Sequence, residues 1–106
     1  MDKFNNMNET EILNLAKDGD NEAISFIIQK YKYISIKLAS EWTNSFIEPE
    51  DLMQEGMIGL LAAIKSYDES KKISFLSYAY TCVGNSIQTA LRKVNRKKDF
   101  PKNSLV

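Results

Sequence analysis

Histidine is absent from this 106-residue chain, and cysteine occurs once, as Cys82. One chain therefore cannot assemble the usual zinc ligand set. It cannot close an internal disulfide either, which agrees with a reducing compartment. Proline is scarce, at Pro49 and Pro101 only. No apolar run approaches the ~18 residues of a membrane span. The first six residues, Met1 to Asn6, lack the apolar stretch of a signal peptide. The expectation is a cytoplasmic chain with no metal, no cofactor and no membrane partner. What is present is a 43% hydrophobic content, too high for a disordered polymer and enough for one core in one domain.

The net charge of zero conceals a split. Residues 1–69 hold 13 acids and 6 bases, whereas residues 70–106 hold 1 acid and 8 bases. Arg92, Lys93, Arg96, Lys97, Lys98 and Lys102 crowd the C-terminal end. Such asymmetry suggests one partner for the acidic part and a polyanion for the basic part. A solvated helix end is the plainer explanation of a basic cluster alone, because cations also favour helix C-termini.

Punctuation and periodicity predict an all-α bundle of four helices. Asn8, with Glu11 three residues later, opens a helix near 9–17. Asp18-Gly-Asp20 ends it. A second helix spans about 21–45, with Ile24, Ile27, Ile28, Tyr31, Ile34, Leu38 and Trp42 at helical spacing. Pro49 suits the first turn of a third helix near 49–67. The polar turn Asp68 to Lys72 separates it from a fourth near 74–98, expected to fade before Pro101. Residues 101–106 look unfinished, so the expectation is one domain cut from a longer chain.

The third helix carries two interior glycines, Gly56 and Gly59, each costing ~1 kcal/mol relative to alanine. Keeping both implies close approach by something. Asp51, Gln54 and Glu55 stand at i, i+3 and i+4 and so share a face. A polar patch beside a bare backbone stripe reads as a docking surface. Asp51 and Glu55 also invite a general acid/base role, but no histidine or ligand set accompanies them.

On the fourth helix Leu76, Ala79, Tyr80, Val83, Ile87, Ala90, Leu91 and Val94 form the expected core stripe. The opposite side runs from an aromatic ring through hydroxyls and amides to guanidinium groups: Tyr78, Thr81, Cys82, Asn85, Gln88, Thr89, Arg92 and Arg96, with Phe75 near its head. Rings stack unpaired bases, amides bond base edges, and cations hold phosphates. Each residue taken singly has an ordinary structural explanation: Phe75 and Tyr78 as half-buried core, Cys82 as packing, Asn85 and Gln88 as solvated. The ordered gradient favours nucleic acid with unpaired bases.

Three blocks then resemble domain two of bacterial RNA polymerase sigma factors of the primary-type (sigma-seventy) superfamily. They are Asp51-Leu-Met-Gln-Glu-Gly-Met-Ile-Gly-Leu-Leu61, Ala63-Ile-Lys-Ser-Tyr-Asp68 and Ile73-Ser-Phe-Leu-Ser-Tyr-Ala79. The tail from Arg96 to Ser104 looks most like the alternative, sporulation-type sigma-H branch. The resemblance implies a helical domain that docks on the beta-prime clamp helices of core RNA polymerase through Asp51, Gln54, Glu55, Ile58 and Leu61. It implies capture of the minus-ten non-template strand of promoter DNA by Phe75 and Tyr78, with Thr81, on the same face of the fourth helix, a further DNA-binding candidate. Asn85 and Gln88 would read its upstream edge, and Arg92, Lys93, Arg96 and Lys97 would hold phosphates. An anti-sigma factor is a further partner the resemblance admits.

Two departures stand out. Housekeeping members carry a tryptophan pair where this chain has Thr81 and Cys82, which implies weaker intrinsic melting and a stricter promoter. No segment resembles the family's minus-thirty-five-binding helix-turn-helix domain. A sigma-mimicking regulator and an unrelated helical DNA-binding module remain the alternatives; dependence of single-strand binding on Tyr78 separates them from a sigma domain.

Overall fold

The computed structural model describes residues 4, 6–42 and 47–105, with side chains described as far as Lys93. Among the described residues four α-helices appear in order: α1 (Glu9–Lys17), α2 (Asn21–Trp42), α3 (Pro49–Ser66) and α4 (Phe75–Leu105).

Local chemistry sets the helix starts. Asn8 Oδ1 accepts from the Glu11 N–H at 2.9 Å, and the Asn8 N–H donates to Glu11 Oε1 at 3.3 Å, a reciprocal capping box. Gly19, at φ 101°, makes the reversal after α1. Asp20 Oδ1 then accepts from the Ala23 N–H at 3.0 Å and starts α2. Pro49 occupies the first turn of α3. Between α3 and α4, Asp68 Oδ1 accepts from both the N–H and the Oγ of Ser70, at 3.0 and 2.6 Å, and organises a short 3-10 turn over Glu69–Lys71. Ser74 Oγ accepts from the Ser77 N–H at 3.1 Å and opens α4.

Helix ends differ from expectation. Helix α2 is described to Trp42, and the expected stretch to residue 45 lies outside the described residues. Helix α3 ends at Ser66, because Tyr67 turns extended at φ −61°, ψ 136°. Helix α4 continues to Leu105 instead of fading near residue 98. Pro101 removes one N–H and crowds the turn before it, a local cost of ~3 kcal/mol, but its fixed φ is itself helical.

Helix α3 packs against both α2 and α4, and α1 lies across α2 and α3. Ile12, Ile27, Ile34, Leu52, Leu60, Ile64, Val83 and Ile87 fill the space between them, each fully buried. The α4 core stripe is rotated from the one expected. Phe75, Ala79, Val83, Ile87 and Ala90 are buried, whereas Leu76 is 41% exposed. Tyr80 and Leu91 are half-buried, and Val94 lies outside the described side chains. The spacing predicts Leu76 at the head of the stripe; Phe75 takes that place because the Tyr31 and Tyr67 rings from other elements pack against it.

The α3 glycine stripe is also reassigned. A Cβ at Gly56 would lie 2.8 Å from Ser35 Oγ on α2, and one at Gly59 would lie 2.7 Å from the Cys82 carbonyl oxygen on α4. The close approach is therefore between helices of this chain, not with an outside partner. Ser86 Oγ donates to the Glu55 carbonyl at 2.8 Å and ties α4 to α3 beside that crossing.

Candidate partner and nucleic-acid interfaces

The exposed side of α3 carries Asp51, Gln54 and Ile58, with Leu61 half-buried at its margin. Ile58 is 60% exposed, the most open of the large apolar side chains among the described residues. An aliphatic centre with polar neighbours has the make-up of a protein-binding patch. Glu55 departs from this face. It is half-buried and lines a groove of about 550 Å³ with Asn85, Ser86, Thr89 and Lys93 of α4. One polar patch in sequence thus divides between an outer face and the α3–α4 groove.

On α4, Thr81, Asn85, Gln88, Arg92 and Lys93 are exposed. Thr81 Oγ1 donates to the Ser77 carbonyl at 3.2 Å, and Thr89 Oγ1 to the Asn85 carbonyl at 2.8 Å. Arg92 Nη2 reaches Thr89 Oγ1 at 3.4 Å. These bonds run along the helix itself and leave the amide side chains directed outward. Arg96 and Lys97 lie on the continuing helix, and their side chains are outside the described residues.

Phe75 does not belong to this face. It is 3% exposed and meets Tyr31 and Tyr67 edge-on, with ring centroids 5.1 and 5.2 Å apart. Edge-to-face rings in a core are stable, and a ring so enclosed offers no surface to a base.

Tyr78 is placed differently. It is half-buried, its hydroxyl 2.7 Å from Ser66 Oγ and its ring 5.7 Å from that of Tyr67. Together with Ser66, Tyr67, Asp68, Lys71 and Ile73 it lines a cleft of about 430 Å³ at the head of α4. The Tyr67 hydroxyl donates to the Ile73 carbonyl at 2.6 Å, which closes the turn over the cleft. Ring, carboxylate, ammonium and an exposed isoleucine therefore surround one space. The Ser70 hydroxyl and N–H, followed by the charges of Lys71 and Lys17, hold the Asp68 carboxyl below its usual range, so it is ionised at neutral pH.

Sequence spacing gives Tyr67, Asp68, Lys71 and Ile73 no site role. The signal existed in the Tyr67-Asp68 pair at a helix end, but helical spacing does not project where a turn's side chains point.

Geometry of this kind defines a class first: an all-α bundle with an exposed polar helix beside a ring-lined cleft. The family model for Sigma-70 region 2 matches residues 27–97. The chain is 31% identical over 105 residues to RNA polymerase sigma-H factor of Bacillus licheniformis, covering 99% of this chain and 47% of that protein. The sigma-H factor of Bacillus subtilis is also 31% identical, over 103 residues, covering 97% and 47%. RNA polymerase sigma-E factor of Clostridium acetobutylicum is 30% identical over 90 residues, covering 85% and 38%. The chain belongs to the sigma-70 region 2 family. It spans about half the length of the sigma-H relatives it matches.

Proposed function

We propose that this chain is the polymerase-docking, promoter-reading domain of a sigma factor, a binding and specificity module rather than an enzyme. The observation that carries the proposal is the cleft at the head of α4. Its volume of about 430 Å³ would admit one nucleobase, with the Tyr78 ring as a wall and the Asp68 carboxylate, on the same lining, as the acceptor for an exocyclic amine. Lys71 supplies a cation for the adjoining phosphate. Below the cleft, Thr81, Asn85 and Gln88 continue along α4 toward Arg92 and Lys93. That order suits a strand whose first bases are unpaired and whose upstream part is duplex.

Asp51, Gln54, Ile58 and Leu61 form the surface for the beta-prime subunit of core RNA polymerase, with Glu55 at its border with α4. Membership in the family and the names of the relatives support this assignment.

The test joins both surfaces. Core RNA polymerase is mixed with the chain, and binding is measured to fork-junction DNA carrying one unpaired adenine on the non-template strand or an abasic site there. Wild type is expected to bind polymerase and to prefer adenine. Gln54→Ala with Glu55→Ala removes polymerase binding while helicity is retained. Tyr78→Ala weakens the adenine fork by about one stacked base, ~1–3 kcal/mol. A folded wild type that ignores polymerase overturns the docking assignment, and equal binding by Tyr78→Ala overturns the cleft assignment.

A further inference from the structure

Helix α1 carries neither the docking face nor the reading face, yet it grips the wall of the cleft from behind. Lys17 Nζ, at its C-terminal end, donates to the Tyr67 carbonyl at 2.7 Å. Tyr67 is the cap residue of α3. Its N–H is held by the Ala63 carbonyl at 2.9 Å, but its own carbonyl has left the helix. An ammonium there satisfies an acceptor at a helix C-terminus, where positive charge is also favoured by the dipole.

The other end of α1 reaches the same wall through a chain of rings. Glu9 Oε2 accepts from the Tyr31 hydroxyl and from Lys30 Nζ, both at 2.6 Å. The Tyr31 ring meets Phe75, Phe75 meets Tyr67, and Tyr67 meets Tyr78, at centroid distances of 5.1, 5.2 and 5.7 Å. The Tyr67–Asp68 segment also lines a second, smaller cleft of about 220 Å³ on the α1 side, shared with Leu13, Asn14 and Lys17. It is therefore a partition between two hollows, held on one side by α1 and open to the cleft on the other.

We propose that Lys17 is a positioning residue for base capture. By holding the Tyr67 carbonyl it fixes the backbone torsion that carries the Asp68 carboxylate, and so sets its spacing from Tyr78 across the cleft. Without that bond the extended cap residue swings about its ψ angle, and the cleft loses the width that selects a stacked, amine-bearing base. The inference rests on the cleft being a base-capture site.

The experiment compares Lys17→Met, Lys17→Arg and Tyr78→Ala, each bound to core RNA polymerase, on fork-junction DNA with one unpaired adenine or an abasic site. Thermal melting and the ring NMR signals of Tyr67 and Tyr78 are followed in the same variants. Lys17→Met is expected to cut the adenine-over-abasic preference by about 3- to 10-fold, a factor of the size the net contribution of one ordinary hydrogen bond supports. Binding to the abasic fork stays unchanged, and both ring signals shift. Lys17→Arg, which keeps a cationic donor, retains the preference within about twofold, as a donor-dependent effect requires. If Lys17→Met keeps the full preference while Tyr78→Ala loses it, the positioning role is wrong and the cleft reading stands. If Lys17→Arg is as impaired as Lys17→Met, the effect is packing and the role is likewise overturned. If wild type shows no preference, or Tyr78→Ala keeps it, the cleft reading fails and this inference falls with it.

Discussion

Phe75 and Tyr78 stand three residues apart on one helix, and the fold gives them opposite tasks. Phe75 is core, enclosed by Tyr31 and Tyr67; Tyr78 lines the cleft. Phe75→Ala is therefore expected to destabilise the domain by ~3–5 kcal/mol in a denaturant titration, as a cavity does, and not through a selective loss of base preference. Tyr31 makes a further single-residue prediction. Burial, and then its hydrogen bond to Glu9, raise its phenol well above the ordinary tyrosine value. A raised folded value means that the neutral form is the one the fold prefers. Its contribution is complete below the unfolded value of about 10 and is lost as pH climbs toward the folded one. Tyr31 should ionise well above the ordinary tyrosine range in an alkaline absorbance titration. Tyr31→Phe should cost ~1–2 kcal/mol at neutral pH and flatten the alkaline loss of stability.

At the scale of elements, the crossing of α3 on α4 is the most demanding contact. Replacing a helix-interior glycine by alanine ordinarily gains ~1 kcal/mol. At Gly59 the added Cβ would meet the Cys82 carbonyl oxygen and Ser86 Cβ, each at 2.7 Å. A backbone oxygen cannot rotate aside, so the helices must separate. Gly59→Ala is expected to lower stability by ~1–3 kcal/mol in thermal melts; a gain would show that the crossing is looser than these distances. The third helix thus spends its glycines on its own neighbours and leaves Asp51, Gln54 and Ile58 exposed.

Across the whole molecule, the charge division follows the division of labour proposed above. The chain is net negative before residue 70 and net positive after it, and the helical backbone of α4 continues past Arg92 through the basic stretch. Replacing Arg96 and Lys97 by alanine should weaken every DNA sequence alike. It should also reduce the slope of log affinity against log salt by about 1.5, near 0.7–0.9 for each cation lost. A loss confined to one promoter sequence would make them base readers instead.

Much of this was legible in the sequence because it is local. The Asn8–Glu11 capping box, the Asp18-Gly-Asp20 break, Pro49 in the first turn of α3 and the spacing of Ile27, Tyr31, Ile34 and Leu38 depend on a few neighbouring residues. They determined four helices and their approximate limits, and the three motif blocks determined the family. Tertiary structure decided the rest, because it depends on which surfaces meet. It chose the α4 phase that buries Phe75 and exposes Leu76, since the Tyr31 and Tyr67 rings come from other elements. It turned the glycine stripe of α3 inward, and parted Glu55 from Gln54. It gathered Ser66, Tyr67, Asp68, Lys71, Ile73 and Tyr78 around one cleft and set Lys17 behind it, 50 residues away along the chain. Periodicity describes a helix against an average environment; only packing specifies which neighbour occupies each side.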